Sequence, residues 1–193
     1  MKNTNLLKVN EKLVAKLGIK NIHALPKITK VVLNVGLGQS KTNPKFKDIV
    51  SESLKSIAGQ KPAMRSAKKA IAGFKIRQGD IVGMIVTLRG NKMQDFLIKL
   101  ANIVLPRMRD FRGLKLSGFD KNGNFSLGIR EHIIFPEISH EKSEILHGLS
   151  VSINTTADNP QNGKILLESW GFPFEKAQDK PFEKQINTGM EKV

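Results

Sequence analysis

Four cations, Lys68, Lys69, Lys75 and Arg77, stand in the segment AKKAIAGFKIRQGD (67–80), and no carboxylate occurs there before Asp80. Cations at that density, without acids to pair them, suit the binding of phosphate groups. Lys and Arg neutralise phosphates and release counterions, so such binding weakens steeply with salt. Gly73 and Gly79 would let the backbone bend close to a ligand. Ile71 and Phe74 would either anchor the segment to its own domain or touch a base or a sugar; a solvated basic loop is the plainer alternative. A second cluster, RMRDFRG, holds Arg107, Arg109 and Arg112 around Asp110 and Phe111. The plain expectation is an ion pair from Asp110 to one arginine with Phe111 in the core. The remaining guanidinium forks would still match phosphate geometry.

Other chemistries fit less well. NVGLGQSKT (34–42) lies where a nucleotide loop would, between a strand and a helix. It has no Gly-Lys pair for a P-loop, and Lys41 replaces the third glycine of a dinucleotide fingerprint. Glu137-x-x-His140 and Glu144-x-x-His147 have the spacing of di-iron ligands. Those sites also need two further glutamates on long facing helices, whereas Pro136 and Gly148 bracket a short segment here. Surface histidines on a small charged helix are the expected explanation, and His23 and His132 show no partner pattern. G-x-S-x-G and H-E-x-x-H are absent, and there is no cysteine. Neither a catalytic residue nor a metal site is therefore expected, and no cofactor. With no tyrosine, an aromatic platform of the RNP type also fails, so RNA recognition would depend on backbone and shape.

The whole chain of 193 residues carries a net charge of +15. The natural partners of so basic a surface are polyanions, either nucleic acid or an anionic membrane. The charge is uneven: residues 61–115 hold 13 Lys+Arg against 3 Asp+Glu, and residues 53–79 hold seven cations and no acid. Solvated faces usually mix signs, so the asymmetry favours an anionic partner. The N-terminus has no apolar core of a secretory signal, and no run reaches the roughly 20 apolar residues of a membrane span. A soluble, intracellular protein without a membrane partner is expected.

These groups need elements to hold them. Leu6, Val9, Leu13 and Leu17 predict a helix over 5–17 with Gly18 as its stop. Pro26 opens a strand, KITKVVLNVG, with Val31, Leu33 and Val35 on one face and Lys30, Val32 and Asn34 on the other. Phe46, Ile49, Val50, Leu54 and Ile57 predict a helix over 46–58. A short strand and a long loop are expected over 63–79. Residues 81–89 alternate as a strand that puts Thr87 and Arg89 on the face opposite Val86 and Leu88. Asn91 with Gln94 resembles a capping box that opens a helix stopped by Pro106. Asn122-Gly123 predicts a tight turn. Strands follow over 124–130 and 148–156, with a last helix at about 160–169. The fold class is α+β: a mainly antiparallel sheet with helices packed on one face and an open polar, basic face. That face would hold Lys30, Asn34, Thr87, Arg89, Ser150, Ser152 and Asn154. Residues 1–176 are expected to form a single domain, with 177–193 a flexible tail.

The strings VVLNVGLG, SIAGQKPAMRSAKKAIAGFKIRQGD, VTLRG, LPRMRDFRGL, FDKNGNFSLGIREHIIFPEI and GFPFEK resemble the bacterial-type large-subunit ribosomal protein five family, in unbroken order from about residue 5 to 176. The resemblance implies a structural ribosomal protein, cytoplasmic within the ribosome. It would bind 5S rRNA, contact 23S-type rRNA, and help attach the 5S rRNA in the central protuberance. Positions that match the family's RNA contacts are Asn34, Gln60, Thr87 and Arg89. Three of them already fall on the open face by alternation. With the cations Lys30, Lys61, Arg65, Lys68, Arg109 and Arg112 they make the expected rRNA-binding set. Gly73, Phe74, Lys75, Ile76, Arg77, Gln78 and Gly79 resemble the family loop that reaches toward P-site tRNA. A bridge to small-subunit protein thirteen is implied as well. His132 replaces a more usual glutamine, and the tail is longer than the family pattern.

Overall fold

The computed structural model describes residues 2–19, 21–38, 43, 45–109, 111–138 and 145–175. In chain order the main elements are α1 (Lys2–Leu17), β1 (Ile28–Gly36), α2 (Phe46–Ala58), β2 (Ala63–Ser66), β3 (Ile81–Leu88), α3 (Gly90–Lys99), α4 (Leu105–Arg107), β4 (Phe125–Ile129), β5 (Leu149–Thr155) and α5 (Pro160–Ser169). The strands form one sheet in the order β2-β3-β1-β5-β4, an antiparallel α+β architecture. Contacts along the chain group into two compact units. One comprises the described residues within 1–30, 94–126 and 152–175; the other comprises those within 31–93 and 127–151.

In the second unit, β1 runs antiparallel to β3, with Val31 opposite Leu88, Leu33 opposite Val86 and Val35 opposite Met84. All six side chains are buried. Period-2 alternation therefore gives this part of the sheet one sealed face, and each such side chain stabilises the fold by about 1.5–3 kcal/mol. Helix α2 packs against β3. Its buried stripe of Phe46, Val50, Leu54 and Ile57 follows the helical repeat. Ser53 is buried with them at no polar cost, because its hydroxyl donates to the Ile49 carbonyl at 2.8 Å. Gly59, in the left-handed region at φ 60°, ends the helix as expected, and its N–H donates to the Lys55 carbonyl.

In the first unit, α1 packs on α5. Val9, Leu13, Leu25 and Leu166 are buried together, flanked by Val14, Leu17, Ile165 and Trp170. Lys16 Nζ donates to Glu168 Oε2 at 2.9 Å, and Lys164 Nζ lies 3.7 Å from Glu168 Oε1. The Asn122-Gly123 turn forms as expected. Gly123 has φ 73°, its N–H donates to the Asp120 carbonyl, and Asp120 Oδ1 accepts the Asn122 and Asn124 N–H groups.

Two local expectations are corrected. The third helix begins at Gly90, one residue before the expected cap. Asn91 thus lies within the first turn, and its side chain makes no capping bond among the described residues. Nor does Pro106 stop the helix. Residues Leu100–Val104 widen into a π-helical stretch, the Leu105 N–H donates to the Leu100 carbonyl, and α4 continues through Pro106 to Arg107. Widening the turn removes the need for the N–H that proline lacks and relieves its ring from the preceding carbonyl.

Candidate nucleic-acid interface

The face of β1 and β3 opposite the core follows from their register. Val32 lies opposite Thr87, Asn34 opposite Ile85, and Gly36 opposite Gly83. Strand β2 extends it, with Ala63 opposite Ile85 and Arg65 opposite Gly83. Asn34 and Arg65 are exposed, and Thr87 is half-buried; no acid lies on β1, β2 or β3. Arg89, exposed, follows the last residue of β3, while Lys30, half-buried, precedes Val31 on β1. The side chains of Asn34, Thr87 and Arg89 make no hydrogen bond or ion pair with any described residue. Polar groups that face water this way, above a sealed core, are available to a partner. The pairing shows what alternation could not. β2 is too short to read as a pattern, and only its register puts Arg65 on the same face as Asn34, one row along and across β3.

Gln60 and Lys61 are exposed just beyond the Gly59 cap, where Lys92 Nζ donates to the Gly59 carbonyl at 2.9 Å. Arg109 and Arg112 are exposed in the first unit, and Phe111 is half-buried rather than in the core. The expected Asp110 ion pair lies outside the described residues, as do residues 39–42 of NVGLGQSKT and the tail 177–193. On the remainder of the open face, Ser150 is exposed. Ser152 lies with its hydroxyl 3.3 Å from that of Ser126, and the Asn154 carbonyl accepts from the Thr29 hydroxyl.

The basic segment is a self-contained protrusion. Its neck is closed by Ala67 N–H to the Asp80 carbonyl at 2.8 Å and Gly79 N–H to the Ala67 carbonyl at 3.0 Å. Its tip is closed by the reciprocal Ile71–Ile76 pair around a single turn, Ala72–Phe74, with Lys75 at φ 53°. Gly79, at φ 91°, supplies the bend its type predicts. Asp80 Oδ2 accepts the Arg77 N–H at 2.8 Å, so the one acid serves the neck. Lys68, Lys69, Lys75 and Arg77 are all exposed. Ile71 is 48% and Phe74 72% exposed, which removes the reading in which both anchor the loop in the core.

The histidines differ from expectation. His147 and His132 are not on the surface: they are 6% and 0% exposed. Their rings stack at 3.8 Å between centroids with 19° between planes, and Phe46 meets His147 edge-on. Among the described residues, His132 Nε2 and both ring nitrogens of His147 are buried with no partner in good hydrogen-bonding geometry. Burial pushes the His147 imidazole down to about 4, with the neighbouring His132 adding to the effect and a backbone contact at Ile145 opposing it less strongly. Burial also lowers His132, against a raising backbone hydrogen bond from His147. Both rings are thus held neutral. Of the two E-x-x-H pairs, His140 and Glu144 lie outside the described residues. No group of metal ligands occurs among the described residues, and no described helix is long and apolar enough to cross a membrane.

Comparison with known proteins covers most of the chain. The family described as ribosomal protein L5 matches residues 21–77, and the C-terminal model of the same ribosomal family matches 81–174. The chain is 54% identical over 157 residues to the large ribosomal subunit protein uL5 of Desulforapulum autotrophicum, covering 81% of this chain and 88% of that protein. It is 48% identical over 166 residues to uL5c of Paulinella chromatophora, covering 86% and 93%. It is 46% identical over 176 residues to uL5 of Prochlorococcus marinus, covering 91% and 98%.

Proposed function

This chain belongs to the ribosomal protein L5 family of the large subunit, and on that premise we propose that it binds 5S rRNA through the open face of β1, β3 and β2. The observation that carries this reading is the state of Asn34, Thr87 and Arg89: polar, accessible, on an acid-free face, and without partners among the described residues. Gln60, Lys61 and Arg65 extend the contact at the β2 side, and Lys30, Lys68, Arg109 and Arg112 supply phosphate contacts to 5S or 23S-type rRNA. The role is structural, with no catalysis: the protein helps attach 5S rRNA in the central protuberance of the cytoplasmic ribosome. Residues 1–176 act as one RNA-binding module.

The protrusion from Gly73 to Gly79 reaches P-site tRNA. Support comes from its exposed cations, its exposed Phe74 and a hydrogen-bonded neck and tip that hold its shape without a core. A contact with small-subunit protein thirteen completes the proposed set of partners. Filter binding of the purified chain to 5S rRNA, with tRNA and a plain RNA duplex as competitors, tests the central claim. The 5S rRNA should resist both competitors. Equal displacement by the duplex would reduce the face to a non-specific polycation.

A further inference from the structure

Glycine offers a strand no side chain to pack, and in an interior it costs about 0.5–1 kcal/mol, so two glycines paired across strands call for a reason. Gly36 closes β1 and pairs with Gly83, which in turn pairs with Arg65. Gly83 has an internal reason. It is buried, and a Cβ there would stand 3.2 Å from the Val35 carbonyl and 3.9 Å from Asn34 Oδ1. Gly36 has none. It is exposed, its φ is not positive, and a Cβ there would meet no atom of the described residues within 4 Å. Neither backbone conformation nor packing among the described residues demands glycine at position 36.

We infer that Gly36 marks the closest approach of the RNA to the sheet, and that it admits the flat face of one unstacked nucleotide, base or ribose, between Asn34 and Arg65. The inference rests on the reading of this face as RNA-binding. Neighbouring strands lie about 4.8 Å apart and same-face residues about 6.8 Å apart along a strand, so the row is about as wide as a base. The next row, Asn34–Ile85–Ala63, offers one amide beside two apolar groups. Peptide N–H groups lie in the plane of a sheet rather than across its face, so a phosphate over this floor would find few donors there. The Asn34 amide can instead reach a base edge, and the exposed Arg65 guanidinium can stack or take the flanking phosphate.

The test is Gly36→Ala and Gly36→Val in the full chain, with Arg89→Ala as reference, read by filter binding to 5S rRNA across a salt series and by thermal melts. Both glycine variants should melt no lower than the parent. Affinity should fall about tenfold or more for Gly36→Val and less for Gly36→Ala, as for loss of one close contact. The log–log salt slope should stay unchanged, because no phosphate contact is removed. If Gly36→Val binds like the parent while Arg89→Ala is weakened, this inference fails and the RNA face stands. If neither variant weakens binding, the RNA face itself fails. A lowered melting temperature for both glycine variants, or a slope reduced by about one phosphate's worth, also overturns the role given to Gly36.

Discussion

The second unit contains two sets of polar groups that lack partners among the described residues, and they lack them for opposite reasons. At His132 and His147, three ring nitrogens are sealed from water. At Lys68, Lys69 and Arg77 the charged groups stand exposed on a loop with one acid, which is occupied by backbone. An unpartnered group in the interior is a cost to the fold, and the histidines limit it by staying neutral. An unpartnered cation in water costs almost nothing and is ready for a polyanion. The first region should therefore respond to pH and be read in stability. The second should respond to salt and be read in binding.

The largest expected effect is in the histidine region. Folding lowers His147 from 6.5 to about 4. Between those values the unfolded chain takes up a proton that the folded chain refuses, so the contribution is full above about pH 6.5 and is lost as pH falls toward 4. A shift of that size corresponds to about 3 kcal/mol, with His132 acting in the same direction. Urea unfolding from pH 7.5 to 4.5 should show a midpoint that is nearly level down to about pH 6.5 and then falls. His132→Gln should flatten that profile, since it removes one titrating ring and the like charge beside His147. A parent midpoint that stays level over this range would sink the comparison from the stability side.

Next in size is the loop. The triple variant Lys68→Ala, Lys69→Ala, Arg77→Ala should unfold at the parent's midpoint, because these side chains are exposed. Its log–log salt slope for RNA should drop by about 2–3, since each lost phosphate contact removes about 0.7–0.9. Full affinity with an unchanged slope would make the segment a merely solvated loop. Thr87→Ala and Arg89→Ala come third, each weakening 5S rRNA binding by about 1–3 kcal/mol. Their stability should hardly change, and a clear loss of stability in either would move that residue from the interface to the fold.

Much of this was legible in the sequence because period and charge report directly on burial. Val31, Leu33 and Val35 alternate with Lys30, Val32 and Asn34, and the structure buries the first set while leaving Asn34 exposed. The stripe of α2 and its Gly59 stop were readable for the same reason. What failed needed information that no local pattern holds. His132 and His147 are 15 residues apart and meet only through the chain's tertiary course, so each looks like a lone polar residue. Arg65 sits on a strand of four residues whose face is fixed by pairing alone. Pro106 breaks an ordinary α-helix, but the π-helical stretch before it had no sequence period to announce it.

The smallest effect tests whether pairing, rather than lysine itself, separates a structural cation from a binding one. Lys16 is as basic as Lys68 and its side chain is 50% exposed, yet it donates to Glu168 across the α1–α5 contact at 2.9 Å. An exposed ion pair contributes little, so Lys16→Ala should lower stability by about 0.2–1 kcal/mol, more at low salt than at high. Glu168 already neutralises this lysine, and RNA would have to break that pair to use it. Lys16→Ala should therefore leave the RNA salt slope where it is, in contrast to each loop cation. A slope that fell by as much for Lys16→Ala as for Lys68→Ala would mean that the RNA reads total charge, and the acid-free character of the loop would lose its significance.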